Sequence, residues 1–274
     1  MSLPRLRPPE LAGKGPAFVE KGGEYCAVMT MTDESVSAER IHAVKDDLAA
    51  SFRIAAMHGF NEGVDNHFSA VHPARDDWFF LNRYGPYWSE ITTDDIITVD
   101  FDGNIVEGEG QWDVTAFMIH RGCHRAHPHA RVVFHTHQPY ATALSITKTG
   151  LDTRLSQNAT HFHNRVGRLP YGGLASGEEE GTRIGSAISE GQIAVLLDNH
   201  GVMIIGEDVP QAWVRLYFFE RAAQVQVLAQ STGDELVRMT DGVAQQAQAF
   251  FDSEVHAPGA LFAAERRRED LLRR

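Results

Sequence analysis

Apolar residues recur along this chain with two periods, and the switches between them lay out its elements. Ile41, Val44, Leu48, Phe52 and Ala55 are spaced by three and four, which places them on one helical stripe, and Gly59 follows as a natural C-cap. Shorter runs of strand length come next at Asn66–His72, Trp78–Asn82 and Ile96–Phe101. The last of these leads into Asp102-Gly103-Asn104, a hairpin signal. A helix is predicted from about Thr115 to His127, stopped by Pro128. Arg131–His137 then reads as a strand, and a helix follows near Tyr140–Thr147. Ile193–Leu197 and Val202–Ile205 flank Asp198-Asn199-His200-Gly201 as a second hairpin. Asp208 can cap the next helix, with Pro210 in its first turn and a stripe through Val209, Trp213, Leu216, Glu220, Ala223 and Val227 up to Gly233. Glu178-Glu179-Glu180 reads as a solvated helix start. Residues 1–35 are rich in Pro, Gly and polar residues and are expected to form a loosely ordered arm. One mixed α/β domain is expected over 36–233, with a charged helical extension over 234–274.

Composition narrows the classes of function. The 274 residues carry 25 Lys and Arg against 37 Asp and Glu, a formal net charge of −12, so no basic surface is available to neutralise phosphates and nucleic acid is excluded as a partner. The one basic run, Arg266–Arg268 with Arg273 and Arg274, is expected to stay solvated. Two distant cysteines, Cys26 and Cys123, make no disulfide framework, which favours a reducing compartment. No stretch approaches the ~20 apolar residues of a membrane span, and the opening MSLPRLRPPELAGKGP lacks a signal-peptide core. A cytoplasmic protein without membrane attachment is expected.

The chain also holds 14 His. In His135-Thr136-His137, on a strand, residues i and i+2 share a face, so two imidazoles project together as the start of a metal site. In so histidine-rich a chain such spacing also arises by chance, as at His127/His129 and His161/His163. Asn199-His200-Gly201 exposes a third imidazole at a tight turn, where an ordinary turn residue is the plainer reading. Together the three would make a three-imidazole centre with coordination positions left open for substrate.

These motifs, with Asn66 in N-H-F-S (66–69), Phe80-Leu-Asn-Arg-Tyr-Gly85 and Ser89-Glu-Ile-Thr92, resemble the class II aldolase/adducin family over residues 41–233. The resemblance implies a single three-layer αβα domain with a largely antiparallel central sheet. It also implies a divalent metal on His135, His137 and His200, and a cyclic homotetramer with sites at subunit boundaries. Two departures stand out. Ala116 occupies the place of the glutamate that serves sugar-phosphate aldolases as acid/base, and Val114-Thr115 and Tyr84 replace hydroxyl residues used for phosphate. Each lost charge-assisted hydrogen bond is worth about 1.5–3 kcal/mol, which disfavours a phosphorylated sugar.

Gly63–Ser69, Tyr84-Gly85, Trp88–Thr92, Val106–Gly110 and Tyr217 with Glu220-Arg221 are similar to the family's decarboxylases of hydroxylated aromatic or heteroaromatic acids. That branch implies manganese or zinc, with iron as an option, and a small carboxylic acid as substrate. A hydroxyl beside a carboxylate can chelate the metal, which holds the developing negative charge as carbon dioxide leaves. A proton donor is still needed, and His67, His163 and Tyr84 are the candidates. Asn66, Arg83, Gly85 and Thr115 are candidate substrate contacts, Arg83 through a fork matched to a second carboxylate, although an ordinary surface arginine is its plainer reading. His120, His124, His127 and His129 are expected to lie mostly on a helix face, with His120 in reserve one turn from Ala116. Trp213, Tyr217, Phe218 and Phe219 are expected in the core or an interface. The alternatives are an Fe(II) oxygenase acting on a hydroxyphenylpyruvate- or mandelate-type acid, an aldolase of a non-phosphorylated hydroxy acid, and a non-catalytic adducin-like module.

Overall fold

Helix α1 (Asp33–Met57) carries the predicted stripe, with Leu48, Phe52 and Ala55 fully buried. Gly59, at φ +72°, ends it in a Schellman turn: the Phe60 N–H donates to Ala55 O at 2.9 Å, and Phe60 itself is buried. The computed structural model describes residues 33–273. The arm expected over 1–35 lies outside the described residues, except that α1 already begins at Asp33.

Eight strands follow: β1 (His67–Val71), β2 (Trp78–Asn82), β3 (Ile96–Asp100), β4 (Ile105–Glu107), β5 (Val132–Thr136), β6 (Val166–Leu169), β7 (Ala194–Leu197) and β8 (Gly201–Gly206). They form one sheet in the order β4-β3-β2-β1-β5-β8-β7-β6, antiparallel except for the β6–β7 pair. Helices α2 (Val114–Ala126) and α4 (Glu178–Ser186) cover one face. The other is covered by α1, α3 (Pro139–Ser145) and α5 (Val209–Ser231), with α6 (Asp241–Ser253) and α7 (Ala257–Leu272) outside them. This is the expected three-layer αβα domain with a largely antiparallel sheet.

Alternation along the strands sets which side chains face which layer. Phe68, Ala70, Val132, Phe134, Val202 and Ile204 pack toward α1 and α5, while Val133, Met203 and Ile205 pack with Ile119 and Cys123 of α2 and Ile184 of α4. Each fully buried side chain of this size contributes roughly 1.5–3 kcal/mol, so a one-residue slip of β1 is strongly opposed. The register that buries Phe68 and Ala70 against α1 therefore turns His67 and Ser69 toward α2.

Some elements depart from expectation. Strand β6 has no clear apolar alternation because it lies at the sheet edge, where Arg168 is exposed. Helix α4 contains Gly181 and Gly185, poor helix formers, yet these glycines let it lie against α2: a Cβ on either would overlap α2 backbone carbonyls of Met118 or Gly122. The basic run is also less solvated than expected. Arg266 pairs with Asp46 and Asp47 and so fastens α7 onto α1, and Arg273 lies 3.3 Å from Glu269. Glu220, buried on α5, accepts the Tyr140 and Ala141 N–H groups at 2.9 and 2.8 Å, capping α3 where Gln138 provides no side-chain cap.

Candidate metal centre

Strands β1, β5 and β8 lie side by side at the middle of the sheet, so the start of β1, the end of β5 and the start of β8 meet at one end. His67 is paired opposite His135, and His200 sits in the turn immediately before β8. Asn199 takes the left-handed conformation (φ 56°) that this tight turn needs. At Gly201 a Cβ would overlap Thr136 O and come within 3.0 Å of the His137 ring, so glycine lets β8 begin against His137.

One ring nitrogen each of His135, His137 and His200 lies within 4.8 Å of the other two, a set that could hold a metal ion. Each of the first two is oriented through its other nitrogen. His135 Nδ1 donates to Val202 O at 3.1 Å, and His137 Nδ1 donates to the Glu62 carboxylate. That leaves Nε2 of each ring with a lone pair, and the two Nε2 atoms face each other at 3.2 Å. Two lone pairs so placed repel unless a cation lies between them. Ligands at metal bond lengths of about 2.0–2.2 Å stand about 3 Å apart around one ion, so this spacing suits a bound cation. Burial, and after it the neighbouring imidazoles, hold His135 well below the usual histidine range and lower His200 to about 4. Metal binding requires neutral rings of this kind.

Asn66, buried and at φ 70°, accepts the His137 N–H through Oδ1 at 3.0 Å, which fixes the backbone at that histidine. Beside the imidazoles opens a cavity of about 240 Å³. Asn66, His67, Tyr84, Asp113, Thr115 and Ala116 line it together with the three histidines, and Ile119, Leu174 and Ala175 give it an apolar wall. Thr115 donates its hydroxyl to Asp113, the N-cap of α2. Burial pushes the Asp113 carboxyl up, but the bonds from Thr115 and the Ala116 N–H outweigh this and hold it below its usual range. Tyr84 stands half-exposed at the mouth.

Other expected residues lie elsewhere. Arg83 and Gly85 do not line the cavity, and the Arg83 guanidinium is committed to Asp95 at 2.6 Å, because the turn before β3 brings that carboxylate to it. Among the described residues no Lys or Arg lines the cavity. His163 follows a short 3-10 turn (Asn158–Phe162) leading to the edge strand β6, so it is carried away from the centre. It is buried 3.0 Å from Thr153 Oγ1 and 3.2 Å from Asp241. Trp213 and Phe219 are in the core, as expected.

His120 and His124 lie on one face of α2, as expected, and that face is buried against the sheet. His120 Nε2 lies 2.7 Å from His67 Nδ1, Ser69 Oγ bonds His120 Nδ1, and Ser69 Oγ lies 2.7 Å from His124 Nε2. Glu62 and Ser69 are the residues that sequence reasoning missed. Ser69 was findable, since it shares the His67 face of β1 while His120 and His124 share one face of α2; Glu62 lies in an irregular loop with no periodic signal.

Rings oriented through one nitrogen and open at the other have the make-up of a cation-binding centre rather than of a packed histidine cluster. The family model for the class II aldolase and adducin N-terminal domain matches residues 46–227. A putative aldolase class 2 protein of Caulobacter vibrioides is 31% identical over 220 residues, covering 80% of this chain and 85% of that one. Decarboxylase NovR of Streptomyces niveus is 30% identical over 187 residues, 68% of this chain and 69% of its own length. The crystal structure of an aldolase II superfamily protein from Pseudomonas syringae matches with a TM-score of 0.77 at 29% identity, over 84% of this chain and 93% of that chain. The chain belongs to the class II aldolase and adducin family.

Proposed function

We propose that this protein is a divalent-metal-dependent carbon–carbon lyase that decarboxylates a hydroxylated aromatic or heteroaromatic acid. The observation that carries this reading is the pairing of three open imidazoles with Ala116, an apolar methyl where a retro-aldol acid/base would stand. A relative named a decarboxylase supports it. His135, His137 and His200 would hold the ion. An all-imidazole set suits zinc or iron better than manganese. When bound, the metal lowers the pKa of a substrate hydroxyl and stabilises the negative charge left by departing carbon dioxide.

The chain's own residues do the rest. His67 accepts the substrate hydroxyl proton at Nε2 and returns it to the ring carbon that loses the carboxylate. One hydroxy acid anion thus gives carbon dioxide and a phenolate, which water protonates. Thr115, Asn66 and Tyr84 bound the substrate, and Ile119 and Ala175 give it a buried apolar wall. Among the described residues no arginine or lysine lines the cavity, so a bound ion would supply the positive charge. A relative named an oxygenase supports a second reading, oxidative decarboxylation with dioxygen, for which the same imidazoles would hold iron. A cytoplasmic location and a homotetramer with centres at subunit boundaries belong to the same proposal. The exposed Tyr84, Tyr171 and Leu174 around the mouth support the tetramer, being apolar surface that another copy would cover.

The test is carbon dioxide release from a panel of ortho-hydroxy aromatic acids by zinc-, manganese- and iron-loaded protein, with and without oxygen. Anaerobic release is the expected result. A carbonyl product from a hydroxy acid would replace the reading with an aldolase, and oxygen-dependent release would favour the oxidative reading.

A further inference from the structure

The carbonyl of Ala130 settles the protonation of four side chains that run from it to the cavity. A carbonyl oxygen only accepts, so His124 Nδ1, 2.5 Å away, carries a hydrogen. His124 Nε2 is then bare and must accept the Ser69 hydroxyl hydrogen at 2.7 Å. With its one hydrogen spent, Ser69 Oγ accepts from His120 Nδ1–H. His120 Nε2 is therefore bare in turn and accepts from His67 Nδ1–H at 2.7 Å. Ser69 and His120 are fully buried and His124 nearly so, which leaves little room for water to offer other partners. Burial also keeps the His120 and His124 rings neutral, as the chain of single hydrogens requires.

We infer that Ser69, His120 and His124 are positioning residues that lock His67 as the Nδ1–H tautomer, so that its Nε2 presents a lone pair to the cavity. His67 lines that cavity, and among the described residues its Nε2 has no hydrogen-bond partner. A neutral imidazole free in water favours the opposite tautomer, which would present a donor there. The relay thus makes the cavity-facing nitrogen a proton acceptor before substrate arrives. Its catalytic consequence rests on the proposed function, but the tautomer does not. Four buried polar groups between a sheet and a helix are otherwise replaceable by apolar residues, so a fully satisfied chain that ends at the cavity is specific in its effect.

The experiment is nitrogen-15 NMR of histidine-labelled, zinc-loaded full-length protein, with His67 assigned from the His67→Gln spectrum. Pyrrole-like and pyridine-like ring nitrogens are well resolved. The expected result is a pyrrole-like Nδ1 and a pyridine-like Nε2 at His67. Finding Nε2–H instead overturns the inference in the unmodified protein, whatever any variant does. Ser69→Ala frees His120 to turn its hydrogen toward His67 and should invert the His67 tautomer, while Ser69→Thr, which keeps the hydroxyl, should restore it. An unchanged His67 in folded Ser69→Ala would also overturn the inference. Turnover of Ser69→Ala should fall about 10²-fold in kcat with KM little changed, the scale of a lost general base. If the tautomer inverts and turnover holds, the relay stands and the assignment of His67 as proton acceptor fails.

Discussion

Removing the Glu62 carboxylate tests whether the histidine cluster is a metal centre organised by its surroundings. Glu62 does not itself line the cavity; it accepts His137 Nδ1–H and so turns Nε2 inward. Partners of this kind are worth about 10–100-fold in metal affinity. The Glu62 side chain is 62% exposed, so solvent screening places Glu62→Ala near the lower end, about tenfold. Glu62→Gln keeps an acceptor and loses only the charge, so a smaller loss of a few-fold is expected. A tenfold loss is about 1.4 kcal/mol of metal-linked stability at a fixed excess of zinc. For a domain of this size that shrinks the zinc-induced rise in Tm by about 3–6 °C. Without metal the Tm should barely move, since an exposed pair contributes under about 1 kcal/mol. Competitive zinc titration and thermal unfolding with and without zinc measure both quantities. Unchanged zinc affinity in Glu62→Ala, or an equal loss of Tm in the metal-free protein, would refute the orienting role.

Other outcomes follow from the same geometry. His135→Ala or His200→Ala should abolish both zinc retention, read by elemental analysis after dialysis, and turnover, while Ala116→Glu should not raise native activity. Arg83→Ala should leave KM for the acid within a few-fold, because its guanidinium is already held by Asp95; a large rise in steady-state KM would return it to the substrate. Burial lowers His67 to about 3 and His124, His161 and His200 to about 4, so the unfolded chain binds protons that the folded one refuses. Their contribution is intact above pH ~6.5 and is lost as pH falls toward about 4, and for His67 toward about 3. The urea midpoint of metal-free protein should therefore drop over that window. Gly181→Ala should destabilise by at least about 1–3 kcal/mol, measured by urea unfolding, because the added Cβ meets the Met118 carbonyl across the α2–α4 contact.

Much of this molecule is legible before folding because its signals are local. The stripe of α1 and its Gly59 stop, the two hairpins, the strand holding His135 and His137, and the Asp208 cap at 2.8 Å from the Gln211 N–H all follow from spacing of 2 or 3.6 and from turn chemistry. Where local preference was weak, as in glycine-bearing α4 or edge strand β6, only contact with a neighbour creates the element. The same division runs through the site. Three histidines could be picked out by type and spacing, but their convergence depends on β1, β5 and β8 being neighbours in an antiparallel sheet.

The sequence by itself determined the elements with strong local signals, the direction their strand residues face, and the chemical supply of the site. Tertiary structure decided which of those groups meet. It committed Arg83 to Asp95, carried His163 to the far edge of the sheet, and joined His67 to His120, Ser69 and His124. The physical reason is that periodicity is a property of a few consecutive residues, whereas a hydrogen bond between residues about fifty positions apart exists only once sheet order and helix packing have been chosen.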